Sequence, residues 1–166
     1  MALFHDAIGE GIQRVESDLA ESNAPKPPPL PRQSQADERE VVRELLTGPV
    51  DELEAGELLS YVRGGASKKM LRKLGKGEYS VRDELDLHGM STTLAASAIA
   101  QFLEENKRYG RLCVRIIHGK GLQSERGPVL KQLTDKLLRQ RGDVLAFRSA
   151  RSNDGGSGAV IVLLRG

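Results

Sequence analysis

From residue 84 onward, apolar positions alternate between the period of a strand and the period of a helix. Glu84 to His88 reads as a strand, with Leu85 and Leu87 on one face. Ser91 is a helix N-cap, and Leu94, Ala95, Ala98, Ile99, Phe102 and Leu103 follow as one helical stripe, with Gly110 in the C-terminal position. Leu112 to Ile117 is a nearly continuous apolar run, the pattern of a central strand. Pro128 opens a second helix that turns Leu130, Leu133, Leu137 and Leu138 inward and stops at Gly142. Val144 to Ser149 and Ala159 to Leu164 are two further strands joined by a Gly-rich loop. The order predicts an α/β domain, a βαβαββ two-layer sandwich with a mixed four-stranded sheet. Right-handed crossovers put both helices on one face and leave the other partly open.

Upstream the pattern is different. Leu3, Phe4, Ala7, Ile8, Ile12, Val15 and Leu19 recur at helical spacing. Five prolines between 25 and 31 then mark an extended linker over about 22–38. Two short helices are expected at 37–47 and 50–62, separated by Gly48-Pro49. Residues 1–62 carry 5 basic and 13 acidic side chains, a net of −8. Residues 63–82 carry 7 basic and 1 acidic, and residues 83–166 carry 13 basic and 9 acidic. The expected organisation is therefore an acidic N-terminal extension over 1–62, a basic lead-in over 63–82 and a folded domain over 83–166. A basic body of this kind points to a polyanion, and the acidic arm to a separate task on a protein partner.

The one cysteine, Cys113, excludes an intrachain disulfide and reads as a small core residue. No apolar run approaches the ~20 residues of a membrane span, so a cytoplasmic protein is expected.

The chemistry concentrates where strands end. Leu85-Asp86-Leu87-His88-Gly89 and Ile117-His118-Gly119-Lys120-Gly121 each break an apolar run at His-Gly, and the chain has three histidines in all. Alternation puts Asp86 beside His88, where a carboxylate can fix the imidazole tautomer and raise its basicity. His118 is the candidate second proton-transfer group or phosphate donor. Gly89, Gly119 and Gly121 allow close backbone approach to a phosphate, and Lys120 supplies a point charge. The start of the second helix, near Gly127 and Val129, offers N–H groups to the same anion. Gly155 and Gly156 form a loop able to hug a backbone, flanked by Arg148 and Arg151. Lys68, Lys69, Arg72 and Lys73 add a basic stretch upstream. The Gly-Lys-Gly spacing is not that of a nucleotide-binding P-loop, and two histidines with one distant cysteine do not make a zinc pattern.

These motifs, taken in order with Gly155-Gly156-Ser157-Gly158 before the last strand, resemble those of the Smr (small MutS-related) domain over the last ~85 residues, an ordinary domain size. The run Leu71 to Tyr79 is similar to the basic segment that precedes this domain in stand-alone bacterial members. The resemblance implies a fold like the C-terminal domain of translation initiation factor three. It also implies nuclease or nucleic-acid-binding activity, on DNA in some relatives and on RNA at ribosomes in others.

The resulting expectation is an endonuclease with Asp86, His88 and His118 as catalytic groups, RNA favoured over DNA. Few aromatics are available for base stacking, which favours recognition through backbone and shape. RNA cleavage of this kind needs no metal. DNA cleavage would use water and a divalent ion, Mg2+ or Mn2+, near Asp86. The alternative is a non-catalytic adaptor that binds nucleic acid or a ribosome, the latter through the N-terminal extension. A third arrangement has the acidic arm cover the basic face.

Overall fold

The computed structural model describes residues 32–47 and 56–166. The amphipathic pattern of residues 3–20 lies outside them, as do most of the Pro-rich stretch and the first part of the run 50–62. The described elements are α1 (Arg32–Thr47), β1 (Ser60–Val62), α2 (Lys68–Lys76), β2 (Asp83–Asp86), α3 (Thr92–Arg108), β3 (Cys113–Ile117), α4 (Val129–Gln140), β4 (Val144–Ser149) and β5 (Ala159–Leu164). Five strands form one sheet in the order β1-β4-β5-β3-β2. β2 and β3 are parallel and every other pairing is antiparallel.

The first face of the sheet carries the main core. Val114 and Ile116 of β3, Phe147 of β4, and Val160 and Val162 of β5 pack on Ile99 and Leu103 of α3 and Leu133 and Leu138 of α4. α3 starts where the Ser91 hydroxyl accepts the Leu94 N–H, which satisfies one orphan donor of its first turn. α4 starts after Pro128, which makes no side-chain cap.

Two elements differ from the sequence expectation. The sheet has a fifth strand, since Ser60–Val62 pairs with β4 where a helix over 50–62 was expected. Three residues are too few to show a period. Its place is set by tertiary partners: Leu59 is buried, its N–H donates to Ser149 Oγ at 2.7 Å, and Tyr61 stacks on Phe147 with ring centroids 5.2 Å apart. The second face of the sheet is also better covered than expected. α2 lies on it, with Leu74 and Met70 packed against Cys113, Ala146, Ile161 and Leu163. Ser67 caps the start of α2, and Gly77 ends it at φ +72°.

α1 begins at Arg32, earlier than its apolar spacing indicates, and packs on the α3 and α4 side. Val42 is buried in the main core with Leu46 against it, and Lys136 of α4 donates to the Leu45 carbonyl near the end of α1. Arg63 ties β1 to the end of α4, donating to the carbonyls of Val144, Arg139 and Arg141. α1 and β1 thus belong to the same core as the later elements.

Candidate functional site

The parallel pairing of β2 with β3 sets Asp86 opposite Ile117, and the Leu87 N–H donates to the Ile117 carbonyl at 2.8 Å. β5 runs back along β3 with Ala159 opposite Ile117, so the loop before β5 opens at the same edge. The Gly158 carbonyl there accepts the N–H groups of both His118 and Gly119, at 3.1 and 2.9 Å. Gly89, Gly119, Gly121, Gly155 and Gly156 all take positive φ in these loops. At Gly121 the freedom is needed twice over: φ is +74°, and a Cβ would meet Pro128 Cα at 2.5 Å.

At this edge Asp86 and His88 form a pair. Asp86 Oδ1 accepts the backbone N–H of His88 at 3.0 Å, and Oδ2 lies 2.8 Å from Nδ1 of the His88 ring. The backbone N–H first, and the ring after it, hold the Asp86 carboxyl below its ordinary value. The Nδ1–H is thereby fixed and Nε2 is left as the basic atom. The His88 side chain is 84% exposed, so Nε2 is open to an incoming polymer.

His118 is placed differently. It follows Ile117 on β3, and alternation turns it to the first face together with Ile116. The residue is only 4% exposed. Nδ1–H donates to the Gly119 carbonyl at 2.8 Å, while Nε2 is buried without a partner among the described residues. Burial pushes its pKa down to about 4, against the smaller opposing effect of the Gly119 hydrogen bond. His118 is therefore neutral at physiological pH and lies on the opposite face from the Asp86–His88 pair.

The basic residues gather on the second face. A groove of 790 Å³ is lined by Lys120, Arg148, Arg151, Ser152 and Gly156, with Leu58 and Gly75 on its far side. A Cβ at Gly75 would lie 2.5 Å from an Arg148 guanidinium nitrogen, so this glycine, inside α2, is what lets the arginine cross the helix. Apolar periodicity gives no hint of that role; a glycine inside a basic helical run is the one available signal. Lys68, Lys69 and Arg72 are exposed on α2 and Lys73 is half-buried there, outside the groove lining. Among the described residues Arg148, Lys120 and these α2 cations have no carboxylate partner, whereas Arg111, Arg115, Arg139, Arg141 and Arg151 each have one. Lys120 and Arg148 thus line the groove, and Lys68, Lys69, Arg72 and Lys73 stand on α2, without a carboxylate partner among the described residues.

The donor set does not fit a divalent ion. Both oxygens of Asp86 are engaged by His88, the neighbouring Glu84 is paired with Arg115, and no three His, Cys, Asp or Glu side chains gather among the described residues. No helix of the described residues is long and apolar enough to cross a membrane.

A family model described as the Smr domain matches residues 85–165. Among curated proteins, the chain is 38% identical over 113 residues to a protein named ribosome rescue factor SmrB from Pectobacterium carotovorum subsp. carotovorum (strain PC1), covering 68% of this chain and 60% of that one. It is 36% identical over 104 residues to the protein of the same name from Photorhabdus laumondii subsp. laumondii, covering 63% of this chain and 56% of that one. The chain thus spans less than two thirds of these relatives' lengths. Among solved structures, YdaL, a stand-alone small MutS-related protein from Escherichia coli, superposes with a TM-score of 0.63 at 28% identity, covering 78% of this chain and all of that one.

Proposed function

Since the chain belongs to the Smr-domain family, we propose that it is a nucleic-acid-binding protein that grips the phosphate backbone of RNA on or near the ribosome. The observation that carries this reading is the distribution of unpaired cations. Arg111, Arg115, Arg139, Arg141 and Arg151 are each neutralised by a neighbouring carboxylate, but Arg148 and Lys120 line one groove without such a partner, and Lys68, Lys69 and Arg72 extend the positive surface along α2. Phosphate contacts of this kind give affinity and register but carry little sequence information. The names of the relatives bring in the ribosome as partner. Residues 1–30, acidic in sequence, are assigned the contact with ribosomal protein, since acidic side chains repel RNA. Co-sedimentation of the full chain with ribosomes, with and without residues 1–30, tests this. Loss of ribosome association with RNA affinity retained is the expected result.

The Asp86–His88 pair supports a second reading, that the bound RNA is also cut. Nε2 of His88 would take the proton of a 2′-hydroxyl, with Nδ1 held by Asp86. The 2′-oxygen attacks phosphorus, the bond to the 5′-oxygen breaks, and that leaving oxygen takes a proton from solvent water. The products are a 2′,3′-cyclic phosphate and a 5′-hydroxyl. His118 is too buried to protonate the leaving oxygen. Lys120, exposed on the turn that follows it, is the cation that offsets the developing charge. Labelled RNA incubated with the protein, with and without EDTA, separates binder from nuclease. Cyclic phosphate ends formed in the presence of EDTA support cleavage by these residues, and intact RNA supports the pure binder.

A further inference from the structure

A cavity of 250 Å³ lies on the second face of the sheet, beside the basic groove and beneath the end of α2. Sheet register fixes its floor. Ile161 of β5 is level with Arg115 of β3 on one side and with Arg148 of β4 on the other. Ile161 and Leu74 make this floor apolar, and Tyr79, in the connection from α2 to β2, makes one wall. Arg115, Arg151 and Asp154 form the polar end.

That polar end is held in place. Arg151 Nε donates to Asp154 Oδ2 at 2.9 Å, and its Nη2 lies 2.9 Å from the same oxygen. Arg115 Nη1 reaches the Asp154 carbonyl at 3.5 Å, while its Nε donates to Glu84. A Cβ at Gly77 would lie 2.8 Å from the Arg151 guanidinium carbon, so the glycine that ends α2 makes room for the arginine. Three groups stay open. Asp154 Oδ1 and Arg151 Nη1 have no hydrogen-bond partner among the described residues. Tyr79 is half-buried, and no described ring or guanidinium stacks on it.

A flat ring lying over Ile161 against Tyr79 meets a carboxylate acceptor and a guanidinium donor side by side. Single-stranded RNA is read in this way, by stacking on an aromatic side chain and hydrogen bonds to the Watson–Crick edge. Guanine is the base whose N1–H and N2–H lie next to each other to donate to a carboxylate, with O6 beside them to accept. Adenine, cytosine and uracil each set a lone pair beside the donor on that edge, and a carboxylate, which only accepts, repels it. The volume falls below the ~300–1,000 Å³ of whole small-molecule sites, which suits one base and not a nucleotide. Arg151 also lines the groove, so a nucleotide with its phosphate there has its base next to this cavity. Asp86 is one strand over from Arg115 and two residues further along, about 4.8 Å across and about 6.6 Å along the sheet.

We propose that this cavity takes a guanine base, stacked on Tyr79, with N1–H and N2–H on the Asp154 carboxylate and O6 on Arg151. The proposal rests on the RNA-binding reading for the source of the base, and adds a sequence preference to a grip that phosphate contacts alone leave indifferent to sequence. It stands whether or not the RNA is cut.

The test measures binding of the full chain to labelled single-stranded uridine hexamers that carry guanine, inosine, adenine or uracil at one central position. Guanine should bind about tenfold tighter than adenine or uracil, as hydrogen bonds to a charged group allow. Inosine, which lacks the N2 amine, should fall between. Asp154→Asn should cancel the guanine preference; the ratio between hexamers is the readout, since Asp154 also holds Arg151. Guanosine 5′-monophosphate added to the 15N-labelled unmodified chain should move the Gly77, Asp154 and Ile161 amide resonances, which places the base without any variant. A guanine hexamer that binds tighter than the mononucleotide gives RNA as the source, and the reverse order gives a free guanine nucleotide; both support the cavity. Equal binding of guanine and adenine hexamers, a preference that persists in Asp154→Asn, or no movement of those amides overturns the proposal. In that event the RNA-binding reading survives if the uridine hexamer still binds, and it fails separately if no hexamer binds at all.

Discussion

Asp86 holds His88 at two points: one carboxylate oxygen accepts the histidine's backbone N–H at 3.0 Å and the other lies 2.8 Å from its ring Nδ1. The pair is built from residues two apart at the end of one strand, with no support from the core. It fixes a tautomer on a side chain that is 84% exposed. An exposed histidine with a dedicated carboxylate contributes little to stability, which is the ground for giving it a role in chemistry.

His88→Ala should therefore remove cleavage and leave RNA affinity within a few fold. A general base typically contributes about 10²–10⁴-fold in rate. Asp86→Asn should lower the rate less, because the imidazole survives without its orienting acceptor. Quantified cyclic-phosphate product against time is the readout, alongside RNA affinity. Undiminished turnover in His88→Ala would take this residue out of the mechanism.

The buried histidine predicts an acid-sensitive fold. In the unfolded chain His118 gains its proton as pH falls through 6.5, while the folded chain resists until about 4. The unfolded state binds more protons in that window, so stability is lost as pH drops from 6.5 toward 4. The loss is on the order of 3 kcal/mol at most. Urea midpoints at pH 7 and pH 4.5 measure it. His118→Phe should flatten the difference between the two midpoints, whatever it does to the stability at pH 7.

Gly121→Ala should destabilise the turn after β3. Its φ of +74° disfavours any L side chain, and Pro128 stands where the new Cβ would go. A cost of about 1–3 kcal/mol is expected from the backbone conformation, and the steric clash adds to it. Thermal unfolding checks this, and an unchanged midpoint would mean the loop and Pro128 separate freely.

Truncation distinguishes the extension from the core. Val42 and Leu59 are buried, and Tyr61 stacks on Phe147. A chain beginning at Arg63 loses all three, at about 1.5–3 kcal/mol for each fully buried apolar side chain. It should unfold at markedly lower urea than a chain beginning at Pro31, which keeps α1 and β1. Equal midpoints would show that these elements add nothing.

Much of this was legible in the chain. α3, α4, β3 and β5 follow from apolar spacing over runs long enough to show a period. β1 and α2 do not: Ser60–Val62 has no period, and the apolar positions Met70, Leu71 and Leu74 of α2 are outnumbered by cations. Two strands ending in His-Gly look alike in sequence, yet their histidines face opposite sides of the sheet. The distinction lies in parity. Asp86 is level with Ile117, so His88 shares the outward side with Asp86, while His118 shares the inward side with Ile116. The cradle of Arg148 on Gly75 is a tertiary contact that no local pattern carries.

The central claim, that the unpaired cations of the second face hold RNA by its phosphates, is tested most directly by the salt dependence of RNA binding. The affinity of the full chain for labelled single-stranded RNA would be measured at several salt concentrations, beside Arg148→Gln with Lys120→Gln and beside a chain with Lys68, Lys69, Arg72 and Lys73 all changed to Gln. Each lost phosphate contact should lower the log–log slope by roughly 0.7. The account predicts weaker binding and a flatter slope in both variants. Slopes and affinities equal to those of the unmodified chain would contradict it.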